Sequence, residues 1–170
     1  EEHLCSPTII GDFSDFLELS GAAGSDGRGG PNTSDTRIRM ASAGAAVTKR
    51  IDGVLHVAFL FSMVPGTQTV PRAELWALRH VLNLMEGTRQ YTVYIDAPYV
   101  LNGLQSRSRH YSQGSNGDLC IRVFDLMDNK CLDSNFAKTK SHIDTDEQWV
   151  TYNMTAEAMI LNEGAGAACT

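Results

Sequence analysis

PRAELWALRHVLNLMEGTRQYTVYIDAPYV, residues 71 to 100, changes its period part-way through. Leu75, Leu78, Leu82 and Met85 recur at steps of three and four, the spacing that gathers apolar side chains on one face of an α-helix. Pro71 suits the first turn of that helix, where its missing N–H is not needed, and Gly87 suits its end. YTVYID, residues 91 to 96, is then β-branched and aromatic, the composition of a buried strand, and it ends on a carboxylate. Ala97-Pro98 and a short helical run, YVLNGL, follow Asp96. A helix that leads into a buried strand, and a strand that leads into another helix, imply a layered α/β domain.

Upstream, ASAGAAV (residues 41 to 47) and VLHVAFLFSMV (54 to 64) flank Asp52-Gly53, a hairpin signal. Before them, SGAAGSDGRGGPNTSD (20 to 35) is so rich in Gly, Ser, Asp and Asn that it reads mostly as turn or loop. Asp26 lies inside it, just past an expected first strand whose only bulky anchors are Phe13, Phe16 and Leu17. Downstream, a helix is expected over Asp118 to Leu132, a last strand over FAKTKSHI (136 to 143), and a closing helix striped by Met154, Ala158, Leu161, Ala165 and Ala168. The order is β-β-β-α-β-α-α-β-α with no internal repeat. Three early strands joined by hairpins and two later ones reached through helices imply a five-stranded mixed sheet flanked by helices.

The chain has 170 residues, the size of one domain, with 42% hydrophobic and 20% charged residues. No stretch approaches the roughly 18 to 20 apolar residues of a membrane span. The opening EEHLCSPTII lacks the basic start and apolar run of a signal peptide, so the chain reads as an intracellular fragment or processed piece of unstated compartment. Cys5, Cys120, Cys131 and Cys169 form no C-x-x-C pair and read as reduced thiols in or near the core rather than zinc ligands. A formal net charge of −6 argues against non-specific grip on nucleic acid through phosphates. It leaves room for a nuclease, because divalent ions held by carboxylates reverse the local sign.

Three acids stand where solvated acids are uncommon: Asp26, Glu74 in the first turn of the amphipathic helix, and Asp96 at the strand end. Each has an ordinary alternative, as a turn residue, a complement to the helix dipole and a helix cap respectively. Their contexts decide between these. SDG (25 to 27), AEL (73 to 75), IDAPYV (95 to 100), KTKSH (138 to 142) and NEGAG (162 to 166) resemble, in order, five signature segments of the ribonuclease H family. NGDL (116 to 119) is similar to the family's N-x-D-L helix start, and the long first loop looks like versions found in reverse-transcriptase polyproteins of mobile elements. The likeness covers residues 17 to 170, with 1 to 16 as an N-terminal extension.

The resemblance implies a ribonuclease H-like fold and a metal-dependent endonuclease that cuts the RNA strand of RNA–DNA hybrids, with an adjacent reverse-transcriptase domain as partner. Two Mg²⁺ or Mn²⁺ ions about 4 Å apart would activate water and steady the leaving oxygen, and hard carboxylate oxygens suit them. By resemblance Asp26 bridges the ions, Glu74 and Asp96 complete the ligand set, and His142 helps proton transfer. Gly27 and Arg28 would meet the RNA strand, and Asn102 and Gln105, with Arg107 and Arg109 beyond, the opposite one. The fourth carboxylate of the family pattern falls on Gly166, so one ion is expected to be weak. Glu163, Asp144, Asp146 and Glu147 are the acids that could compensate. The alternative function is an inactive ribonuclease H-like module that binds nucleic acid or supports a polymerase. An integrase-like relative is disfavoured by the N-E-x-A and N-x-D-L segments.

Overall fold

The structure is a computed structural model that describes residues 6–11, 22–30, 34, 35, 37, 39–85, 90–130, 132, 134–139, 145–151 and 154–169. Its strands are β1 (Thr8–Ile10), β2 (Ala22–Arg28), β3 (Ser42–Ile51), β4 (Val54–Met63), β5 (Tyr91–Ile95) and β6 (Ser134–Lys138). Its helices are α1 (Val70–Leu84), α2 (Pro98–Ser106), α3 (Arg109–Gln113), α4 (Gly117–Asn129), α5 (Asp146–Thr151) and α6 (Ala156–Ala168). The sheet runs β1-β4-β3-β2-β5-β6: β1 to β4 pair antiparallel, β5 joins β2 in parallel, and β6 joins β5 in parallel. The expected mixed sheet is present. It has six strands rather than five, because Thr8–Ile10 adds an edge strand to β4.

The hairpin turn falls at Asp52-Gly53, with φ of 51° and 79°, the doubly left-handed backbone that a two-residue hairpin needs. Composition and structure part at β2, where the resemblance instead sets the first strand over SGAAGS, residues 20 to 25. Residues 22 to 28 do not form a loop: they are a central strand, paired on one side with β3 and on the other with β5. The small side chains misled because they answer to packing. At Gly24 a Cβ would stand 2.7 Å from the Leu161 carbonyl oxygen of α6. At Gly44 of β3 it would run into the Ala165 carbonyl. Both strands are small so that α6 can lie almost directly on the sheet.

The other face is filled with bulk. Trp76, Leu78 and Leu82 of α1 pack against Val93 and Ile95 of β5 and Leu119 and Val123 of α4 in one buried cluster. Burying each side chain of this size contributes about 1.5–3 kcal/mol. The α6 face has a smaller cluster of Ala22, Ala46, Leu161 and Ala165, edged by Phe59 and Tyr94. Polar contacts fix the helix there: Thr155 caps it by accepting from the Ala158 N–H at 3.1 Å. Thr48 of β3 donates to Glu157 at 3.0 Å, and Ser42 donates to the Cys169 carbonyl at 2.5 Å. Cys120 and Cys169 are free and buried; Cys5 and Cys131 lie outside the described residues. No described helix is long and apolar enough to cross a membrane.

Candidate active site

Strand alternation turns Ala22, Gly24 and Asp26 of β2 toward α6 and Ala23, Ser25 and Gly27 toward α1. Asp26 sits near the strand's end, where Glu74 of α1 reaches it. Gly27 makes that approach possible: a Cβ there would lie 2.5 Å from the Glu74 nitrogen and 2.7 Å from the Ala73 carbonyl carbon. The Gly27 N–H donates to Asp26 Oδ1 at 2.9 Å. Glu74 follows the first turn of α1 rather than lying within it, since the helix starts at Val70. Its carboxyl is buried against the site instead of complementing the helix end.

Arg72, two residues earlier, holds that stretch in place. It donates to the Pro65 carbonyl at 2.5 Å and grips both oxygens of Asp118 at 2.9 and 2.7 Å. Asp118 is the acid of NGDL, so two of the sequence segments that carried the resemblance meet in one bidentate ion pair. The pair ties the start of α1 to the start of α4.

Burial pushes the Glu74 carboxyl up to about 9, with further upward contributions from Asp26, its hydrogen-bond partner, and from Asp96. Burial also raises Asp26, against the lowering effects of Glu74, the Gly27 N–H and Arg28. Both carboxyls are thus held above their ordinary values, which favours a proton retained by the pair. Glu74 Oε2 is buried with no hydrogen-bond partner among the described residues. Asp96 follows β5 and lines a cleft of about 820 Å³ with Glu74, Pro98, Tyr99, Lys138 and Thr139. Behind the site, Cys169 Sγ donates to the Asp26 carbonyl at 3.3 Å. Burial, then the nearby carboxylates, push this thiol up to about 12, so it is an uncharged neighbour.

Asp26, Glu74, Asp96, Gly27 and Arg28 come together at this end of the sheet. Asn102 and Gln105 do not line the cleft; they are exposed along α2. Arg107 is engaged elsewhere, with Asp128 at 2.5 Å and over the Phe124 ring. His142 and Asp144 lie outside the described residues. Tyr99, Lys138, Thr139 and Cys169 were not singled out from sequence. Tyr99 had a signal in the segment that follows Asp96, whereas Cys169 had none.

Gly166 of α6 faces Asp26: a Cβ there would stand 2.9 Å from Asp26 Oδ2. The position expected to carry a fourth carboxylate thus lies against the site, without one. Glu163, three residues before Gly166 on α6, is exposed, and Asp146 and Glu147 are exposed on α5. Among the described residues no three His, Cys, Asp or Glu side chains converge tightly enough to cage an ion. The site offers a carboxyl pair in contact, a third carboxylate within electrostatic range and an unpartnered buried oxygen. Those oxygens are of the hard kind that Mg²⁺ and Mn²⁺ take, though only two of the carboxyls are in contact.

No protein-family model matches the sequence, and no curated protein aligns with it. Solved structures do match. The ribonuclease H domain of prototype foamy virus superposes with a TM-score of 0.62 at 15% identity, over 88% of this chain and 92% of that one. Ribonuclease H1 from the archaeon Halobacterium salinarum gives 0.51 at 18% identity, over 72% of this chain and 87% of its own. The foamy viral protease-reverse transcriptase in complex with an RNA/DNA hybrid gives 0.56 at 14% identity, covering 90% of this chain but only 20% of that longer one. The chain has the ribonuclease H fold.

Proposed function

We propose that the chain is a divalent-metal-dependent endonuclease that hydrolyses the RNA strand of RNA–DNA hybrids. The observation that carries this reading is the meeting of Asp26 and Glu74 at the end of β2, with Asp96 nearby, where burial pushes the Glu74 carboxyl up to about 9 and leaves one of its oxygens unpartnered. A carboxyl pair held at that cost is poised for a cation that replaces the proton. Asp26 and Glu74 would hold Mg²⁺ or Mn²⁺, with Asp96 contributing from the cleft wall. When bound, the ion would supply Lewis acidity and a water of lowered pKa.

This chain's own residues do the rest. Gly27 lets α1 bring Glu74 up to Asp26, its N–H and that of Arg28 lying at the strand end where the RNA strand would approach, and Lys138 lines the cleft beside Asp96, where it would meet a phosphate. Asn102 and Gln105, on the exposed side of α2, would meet the opposite strand, as the resemblance implies. His142 would assist proton transfer, as the resemblance implies. The foamy viral protein of similar fold was solved with an RNA/DNA hybrid, which supports that substrate and an adjacent reverse-transcriptase domain.

One observation favours a second reading, an inactive module that binds hybrid or supports a polymerase: position 166 has no carboxylate. Hydrolysis of a labelled hybrid in Mg²⁺ and Mn²⁺ separates the two. On the nuclease reading the native chain cuts and Asp96→Asn abolishes cutting. A silent native chain that Gly166→Asp switches on would establish the inactive module. Silence from all three would remove the nuclease site assignment.

A further inference from the structure

Gly166 has a second neighbour. A Cβ built there would stand 3.1 Å from Arg28 Nη2 as well as 2.9 Å from Asp26 Oδ2. Arg28 Nε is in turn 3.8 Å from Asp26 Oδ2. The guanidinium therefore lies over Asp26, in the space into which a carboxylate at position 166 would extend. The two departures from the family pattern, a bulky cation at 28 and a glycine at 166, are in contact across the sheet's end.

We propose that Arg28 serves as the second cation of the site. It is a fixed positive charge beside Asp26, standing where a second divalent ion would otherwise need Asp26 and a carboxylate at 166. The inference rests on the nuclease reading and adds to it the number of ions and the identity of their replacement. Two observations support it. Of the acids that could rebuild the missing ligand, those among the described residues, Glu163, Asp146 and Glu147, are exposed, and none is among the nearest neighbours of a Cβ at Gly166. The Arg28 side chain is 44% exposed, so N–H donors remain open to a phosphate oxygen.

A guanidinium differs from a metal ion in one respect that matters: it is present before substrate arrives and cannot be removed by a chelator. A carboxylate at 166 would be drawn to Arg28 and neutralised. The glycine is then the matched residue for this arginine.

The test is Mn²⁺ binding, followed by titration calorimetry and by the electron paramagnetic resonance of free Mn²⁺, on the native chain, Arg28→Ser, Arg28→Lys, Asp26→Asn and the double variant Arg28→Ser with Gly166→Asp. The native chain should bind one Mn²⁺ and the double variant two. Arg28→Ser should bind its ion about tenfold more tightly, because a like charge has left the site, and Arg28→Lys should behave as the native chain does. Arg28 is surface-exposed, so its removal leaves the core intact. Two ions in the native chain, or an affinity unchanged in Arg28→Ser, would overturn the inference while leaving the nuclease reading in place, provided Asp26→Asn abolishes binding. Mn²⁺ binding that survives Asp26→Asn, or that is absent throughout, would overturn both.

Discussion

The sheet has one face of bulk and one of proximity. On the first, α1 and α4 bury Trp76, Leu78, Leu82, Leu119 and Val123 against β5. On the second, α6 meets β2 and β3 through Gly24, Gly44, Ala46 and Ala165, with backbone nearly touching backbone. Stability on the first face comes from buried area, which tolerates adjustment one methylene at a time. On the second little area is available, and what matters is how close the helix lies. Asp26 points toward the second face and Glu74 arrives from the first, so the site depends on both in different ways.

Removing a large side chain from the first face should give the largest effect. Trp76→Ala should cost about 3–5 kcal/mol in urea unfolding, yet shift Mn²⁺ affinity little in whatever fraction stays folded. A comparable loss of affinity would break the contrast. On the second face, Gly24→Val should cost about 1–3 kcal/mol, as overpacking does, and weaken Mn²⁺ binding out of proportion, since it lifts α6 off Asp26. Stability loss with unchanged binding would show that the close approach serves packing alone.

Glu74→Gln should give the smallest effect and the opposite sign. The folded Glu74 carboxyl titrates near 9 against an ordinary 4.5, so the native state holds more protons than the unfolded one between those values. Stability of the metal-free chain should therefore fall as pH rises through that window. The amide removes the dependence and should raise the metal-free Tm at pH 8 by about 3–6 °C, or 1–2 kcal/mol. Thermal unfolding at pH 5, 7 and 8.5 with and without Mn²⁺ checks it; a flat native profile would show that Glu74 is not held protonated.

The same contrast explains what was legible in the sequence. α1 and β5 could be read because their signals are local: Leu75, Leu78 and Leu82 announce a helix face, and YTVYI announces a strand within five residues. β2 could not, because AAGSDGR is small for the sake of α6, whose residues lie about 140 positions later. The identity of Asp26, Glu74 and Asp96 as a group came from the order of short segments, and their meeting at one cleft end agrees with it. That Arg28 lies against Gly166 needed coordinates, since no local pattern connects a strand end to the last turns of a distant helix. That α2 turns Asn102 and Gln105 outward is a matter of helix phase that a short nine-residue run leaves open.

The position of β2 carries one more consequence. It is hydrogen-bonded on both sides, to β3 and β5, and covered by α1 and α6. The amides of residues 22 to 25 can exchange with solvent only through openings that unzip the middle of the sheet. Asp26 is thus tethered to the slowest-breathing part of the molecule. Glu74 and Gly166 ride on helices that can shift as bodies, so any loosening of the site is a movement of its walls around a stationary carboxylate.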